Sequence, residues 1–218
     1  IAMRSIKFLS FFVMLSCILF VTSTQNYVLA SDPYLTSFSF SGIPTGNKVL
    51  SNPIDSASDS NGNIFVTDYG NRRVSKFDSS GNFILTFGWG VKDGSSEFQI
   101  CTASDLTCQE GIGGAGKGQI GGIQGLSFTN NYLYLVMGSR VSKFDSSGNF
   151  ILTFGWGVKD GSSEFQICTA SDLTCQDGIE GSGKGQFVYP EGIDIDSSDN
   201  VYITEPYSSR VSKFDSSG

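Results

Sequence analysis

Residues Arg73 to Gln109 read RVSKFDSSGNFILTFGWGVKDGSSEFQICTASDLTCQ, and residues Arg140 to Gln176 repeat that string without a change, 67 residues further on. A third start, RVSKFDSSG, occupies Arg210 to Gly218. A related but more divergent stretch precedes each copy: NIFVTDYGNR at 63–72, NYLYLVMGSR at 131–140 and NVYITEPYSSR at 200–210. Internal repetition at a fixed period is the signature of a repeat architecture. Within each unit, short runs of β-branched and aromatic residues are bounded by Gly, Asn, Asp and Ser, the pattern of strands joined by tight turns. In the third unit the expected strands are Gly192–Asp196, Val201–Thr204 and Arg210–Phe214. The earlier copies add a fourth at Phe83–Phe87 and Phe150–Phe154. No sustained 3.6-residue period appears after residue 30, so little helix is expected.

Four short antiparallel strands per unit, repeated in tandem, predict an all-β fold, a β-propeller of four-stranded blades with about three blades present. A β-solenoid competes, but its coils are shorter and lack hairpin turns. The string GKGQF…PEGIDIDSSDNVYITE…SRVSKFDSSG resembles the NHL repeat, a resemblance that covers nearly all of the chain after residue 30 and implies a propeller, commonly of six blades. The middle unit departs from it, because Gln119–Phe128 lacks the proline and the acidic strand ends, and Met137 stands where the other units have an acid. The expected layout is blade one at 48–88, blade two at 119–155 and an incomplete blade three at 186–218. Residues 34–42 form an N-terminal strand that completes a blade, since Tyr34-Leu-Thr-Ser-Phe38 resembles Phe-Ile-Leu-Thr-Phe. The chain opens Ile1-Ala2-Met3 and stops where a fourth strand is due. Two expectations follow: a piece of a longer propeller, or two copies pairing as a homodimer into a six-bladed ring.

Between blades lie insertions at 89–118 and 156–185, each with a Cys-x6-Cys pair, Cys101 with Cys108 and Cys168 with Cys175. In an exported protein the default is one disulfide within each loop, although four cysteines allow three connectivities. A four-thiolate metal site is the alternative, and such sites use tighter spacing.

Export is read from the first thirty residues. Arg4 and Lys7 precede an apolar run from Phe8 to Val21, then a polar stretch, then Val28-Leu-Ala30, which is the order of a secretory signal peptide cut after Ala30. The run is too short to span a bilayer, so no membrane association is expected beyond the signal. A secreted or extracytoplasmic location, periplasm or cell surface, follows. The whole chain carries −7 and residues 31–218 carry −9, with 12 basic against 21 acidic groups. Such a surface repels phosphate backbones, which argues against nucleic-acid binding. Histidine is absent altogether, which excludes imidazole-based triads, ligands and proton relays from these residues.

The remaining candidates each have a bland reading beside the functional one. The Asp-Ser-Ser-Gly-Asn turns at 78–82 and 145–149, with variants at 59–63 and 196–200, offer oxygens at alternate positions but lack the Gly and Glu of a calcium loop. They read as hairpin turns. Asp55, Asp194 and Asp196, on the innermost strands, are candidates to face a central channel and hold a cation; the bland readings are that Asp196 opens the following turn and that Asp194 is a solvated channel wall. Lys76, Lys143 and Lys213 recur once per unit, as a basic ring or as paired edge charges. Turns after the second and fourth strands share one face, which gathers the insertions with Tyr69, Arg72, Trp89, Trp156 and Tyr207. Long loops on a rigid scaffold carry binding residues. The expected function is therefore a non-catalytic binding or scaffold module that recognises a protein or glycan through this face, without a cofactor. The alternatives are a channel-metal lyase or lactonase and a purely structural surface protein.

Overall fold

The computed structural model describes residues 50–218, so the expected signal peptide and the strand at 34–42 lie outside the described residues. The chain is all-β. Thirteen strands form three open antiparallel sheets, and the described helical content is two three-residue 3-10 turns. Sheet one runs β1 (Pro53–Ser58), β2 (Ile64–Asp68), β3 (Arg73–Phe77), β4 (Phe83–Trp89) and β5 (Phe98–Thr102), each paired with the next. Sheet two repeats that order with β6 (Ile123–Thr129), β7 (Tyr132–Met137), β8 (Arg140–Asp145), β9 (Phe150–Trp156) and β10 (Phe165–Thr169). Sheet three holds β11 (Gly192–Ile195), β12 (Val201–Glu205) and β13 (Arg210–Phe214).

The expectation of four strands per unit is corrected by β5 and β10. Phe-Gln-Ile-Cys-Thr alternates with period two and lies antiparallel to the preceding strand, in register Trp89↔Phe98 through Leu85↔Thr102. The same register recurs at Trp156↔Phe165 through Leu152↔Thr169. The insertions are therefore not wholly loops. Each begins by folding back as a fifth strand and places its first cysteine on the sheet.

Sheet two lies between the other two, and β7 shows how the sequence dictates it. Every residue from Leu133 to Met137 is buried. Leu133, Leu135 and Met137 join Phe65, Val74 and Phe87 in the core against sheet one, whereas Tyr134 and Val136 join Val201, Ile203 and Phe187 in the core against sheet three. A strand buried on both faces reads as a continuous apolar run, which is what Tyr-Leu-Tyr-Leu-Val-Met is. The first strands of the sheets are neighbours, β1 packing beside β6 and β6 beside β11. Across the first of these contacts the Asp55 carboxylate accepts the Leu126 N–H at 3.0 Å.

Identical residues build both seams. Phe87 meets Phe144 at 4.9 Å between ring centroids, and Phe154 meets Phe214 at 5.1 Å. Lys76 donates from sheet one to the Ser146 carbonyl, and Lys143 donates from sheet two to the Ser216 carbonyl. Lys76 and Lys143 thus couple neighbouring sheets, whereas Lys213 lies over the Tyr202 ring of its own sheet. Glycine is required at 148, where φ is +87° and a Cβ would stand 2.7 Å from the Phe87 ring.

The Asp-x-x-Gly-Asn turns are closed by their own aspartates. Asp78 Oδ1 accepts the N–H groups of Ser80 and Asn82, and Oδ2 accepts Asn82 Nδ2. Asp59, Asp145 and Asp196 do the same. Hydrogen bonds led by the Asn200 side chain hold the Asp196 carboxyl at about 2. Asp194 is exposed and accepts the Ile195 N–H. The turn reading accounts for Asp59, Asp78, Asp145 and Asp196, while Asp194 lies within β11.

Candidate functional site

The connections between second and third strands and the insertions do occupy one face, and buried charge fastens them together. In sheet one the chain leaves β2 through a 3-10 turn, Tyr69–Asn71, and re-enters β3 after Arg72 in the left-handed region at φ 51°. The Asp68 carboxylate organises this corner. It accepts the Ser51 N–H at 2.7 Å, the Asn71 side-chain amide and the Arg73 Nε–H at 2.8 Å, with both ionic side chains buried. Arg73 also donates to the Gln109 carbonyl, and Gly111 N–H donates to the Asn71 carbonyl at 2.7 Å, so the insertion is docked onto the turn. Arg72 pairs with Glu110 on the surface, where such a pair contributes little.

Sheet two builds the same corner without an acid. Met137 replaces it, and the buried Arg140 guanidinium is surrounded by main-chain carbonyls, those of Gln119 at 2.9 Å, Gln176 and Gly114 at 3.3 Å, and Ala115. Burial pushes Arg140 down to about 10, so it remains a cation at neutral pH. In sheet three Glu205 returns as the acid, binding Arg210 Nε at 2.8 Å, Ser212 Oγ at 2.7 Å and the Val188 N–H at 3.1 Å. Burial works to raise the Glu205 carboxyl, but the Arg210, Ser212 and Val188 hydrogen bonds outweigh it and the net shift is downward.

Each insertion carries its own staple. Cys101 bonds to Cys108 and Cys168 to Cys175, the within-loop connectivity, and all four residues are buried. Two disulfides point to an oxidising, extracytoplasmic environment. Inside the loop, a hydrogen bond from Lys92 and two from Thr102 hold the Asp105 carboxyl at about 2, and Lys159 and Thr169 do likewise for Asp172. The staple leaves Leu106 and Leu173 at the tips, each 96% exposed. Lys117 bridges the two insertions, donating to the carbonyls of Ala170 at 3.0 Å and Asp172 at 3.1 Å. Replacing Cys101 and Cys108 together by serine should lower stability by about 2–3 kcal/mol, the chain-entropy worth of so short a loop. Chemical denaturation checks this, and an unchanged midpoint would show that the loop is held without its staple.

The aromatic candidates divide. Trp89 is half-buried and its Nε1 donates to the Lys117 carbonyl at 2.9 Å, so it anchors its own insertion. Trp156 has only a 3.4 Å contact with Ser163 Oγ and lines an open groove of about 810 Å³ with Phe165, Lys184, Arg210 and Phe214. Tyr69 is 42% exposed and Tyr207 is 74% exposed on the strand connections. Two surface groups were not singled out from the sequence, the tip leucines and Tyr189, which is 56% exposed with its ring centroid 5.3 Å from that of Tyr207. Their signal was faint: a lone Leu between polar residues, and a Tyr before a proline. Among the described residues, no three His, Cys, Asp or Glu side chains converge as a metal-binding group, and no helix is long and apolar enough to cross a membrane. Compared with known proteins, the chain matches no family model and no curated protein.

Proposed function

We propose that this chain is an exported, non-catalytic binding module of the β-propeller type, akin to NHL-repeat proteins, which recognises a protein or glycan through its loop-bearing face. The observation that carries the reading is the pair of closely similar insertions, each stapled by a disulfide, hydrogen-bonded to the arginine that opens the adjacent third strand (Arg73 to the Gln109 carbonyl, Arg140 to the Gln176 carbonyl) and bridged to the other by Lys117. Such a surface is ordered before a ligand arrives, which lowers the entropy lost on binding. Three sheets packed in series with their first strands side by side support the propeller part of the proposal. Val211 is 62% exposed where Val141, its counterpart, is buried against the next sheet, so the proposal includes a further sheet that covers it.

A glycan array and an array of extracellular proteins, both read with the intact chain, test this. Saturable binding that is lost on replacing Leu106, Leu173 and Tyr207 by alanine is the expected result. A blank on both arrays would count against a binding module and leave the structural alternative. A thermal shift produced by Ca²⁺ or Zn²⁺ and reversed by chelator would favour the metalloenzyme reading instead.

A further inference from the structure

Three corresponding positions open the first strand of each sheet, and all three require a left-handed backbone. Asn52 has φ +49°, Gly122 has φ +63° and Tyr189 has φ +45°. The correspondence is fixed by hydrogen bonds as well as by sequence, since Ser51 N–H binds Asp68 in the first unit and Val188 N–H binds Glu205 in the third. Asn and Gly are the residues that tolerate this conformation, whereas a bulky aromatic there is strained. Strain of that kind in a residue the fold does not need is a mark of function. The ring does no packing work to justify it, being more than half exposed. It stands instead against Tyr207, at an angle of 56°, on the connection between β12 and β13. The first unit has Gly70 at the Tyr207 position and the second unit's shorter connection is Gly138-Ser139, so among the described residues the paired rings exist once.

Elsewhere this fold uses such rings to hold ammonium groups. Lys143 lies 4.2 Å from the Tyr132 ring and 5.0 Å from the Tyr134 ring, Lys213 lies 5.2 Å from Tyr202, and Lys76 lies 4.7 Å from Phe65. Among the described residues no cation lies over Tyr189 or Tyr207, and neither hydroxyl has a hydrogen-bond partner. Glu191, the acid nearest to Tyr189 along the sequence at two residues' distance, is exposed, on a chain whose net charge is −7. Aromatic faces beside an acid attract cations and offer nothing to anions. We propose that Tyr189, Tyr207 and Glu191 form a receptor for the guanidinium or ammonium group of an arginine or lysine side chain on a partner protein. The proposal rests on the loop-bearing face being a binding face, and it assigns that face a ligand class.

The test uses the intact chain carrying ring-labelled tyrosine, observed by NMR and titrated at millimolar concentration with acetylated tetra-arginine, tetra-citrulline and maltohexaose. Citrulline keeps the shape of arginine without its charge. Tetra-arginine should shift the Tyr189 and Tyr207 resonances saturably, with roughly tenfold weaker binding by tetra-citrulline and weakening with added salt. The effect should vanish in Tyr189→Asn and in Tyr207→Ala, and fall in Glu191→Gln. Tyr189→Asn copies the residue that the first unit already carries, so its unfolding midpoint should equal or exceed that of the parent. Equal response to arginine and citrulline, a response to maltohexaose alone, or silence at both rings would each overturn the receptor. If array binding by the loop-bearing face survives in Tyr189→Asn and Tyr207→Ala, the receptor fails while the binding face stands.

Discussion

Phe144→Ala is expected to cost about 3–5 kcal/mol, the range for removing a fully buried aromatic side chain. Phe144 is wholly buried on β8 at the seam between sheets one and two, with Phe87 at 4.9 Å, Phe150 at 5.7 Å and Phe98 at 6.1 Å between centroids. Those partners come from both sheets, so the cavity cannot collapse by the movement of one strand. For a chain of this size, 1 kcal/mol corresponds to about 2–4 °C in midpoint, and the loss should therefore be roughly 6–20 °C. Phe144→Leu leaves an apolar group in place and should cost less. Calorimetry on the two variants checks the order. A loss below about 1 kcal/mol for Phe144→Ala would mean that the sheets are not packed on each other through this ring.

Asp68→Ala should be nearly as damaging. One carboxylate serves a main-chain N–H, a side-chain amide and a guanidinium, and its removal leaves Arg73 buried without that charge. Removing one partner of a buried ion pair costs about 3–5 kcal/mol. The damage should be local before it is global. Hydrogen exchange is expected to rise first at Ser51 N–H, which the Asp68 carboxylate accepts, and at Gly111 N–H, which the carbonyl of Asn71 in the adjoining turn accepts. Arg140 provides the internal contrast, since the hydrogen bonds that hold the second unit's buried guanidinium go to carbonyls rather than to a carboxylate. Met137→Ala should therefore leave exchange at Gly138 N–H low, and exchange equal to that of the Asp68 variant would contradict this account of the corner.

The strand pattern was legible because each signal was local. Alternating Phe-Ile-Leu-Thr-Phe and the Asp-opened turns dictate hairpins without help from the rest of the chain, and the Cys-x6-Cys spacing matched the disulfides. The fifth strand was harder to see. Phe98–Thr102 carries a cysteine and a glutamine and reads as loop until the edge of β4 is available to pair with it. Asp55 illustrates a second limit. Its place on the first strand was readable, but its acceptor role depends on Leu126, 71 residues away. The loop-bearing face was predicted from strand alternation. Its electrostatics were not, because carbonyls replace a carboxylate around Arg140 and no residue type announces that exchange. Tyr189 escaped notice for a similar reason, as its backbone angle becomes significant only beside Asn52 and Gly122.

The most direct test of the central claim is to compare ligand capture by two variants that leave the seams intact. One carries alanine at Leu106, Leu173 and Tyr207 on the loop-bearing face. The other carries alanine at Ser60, Ser80 and Ser147 in the Asp-x-x-Gly turns, which lie at the other ends of the strands. Surface plasmon resonance against an array-positive ligand should show binding lost in the first variant and kept in the second. Binding lost in the second and kept in the first would contradict the assignment of function to the loop-bearing face.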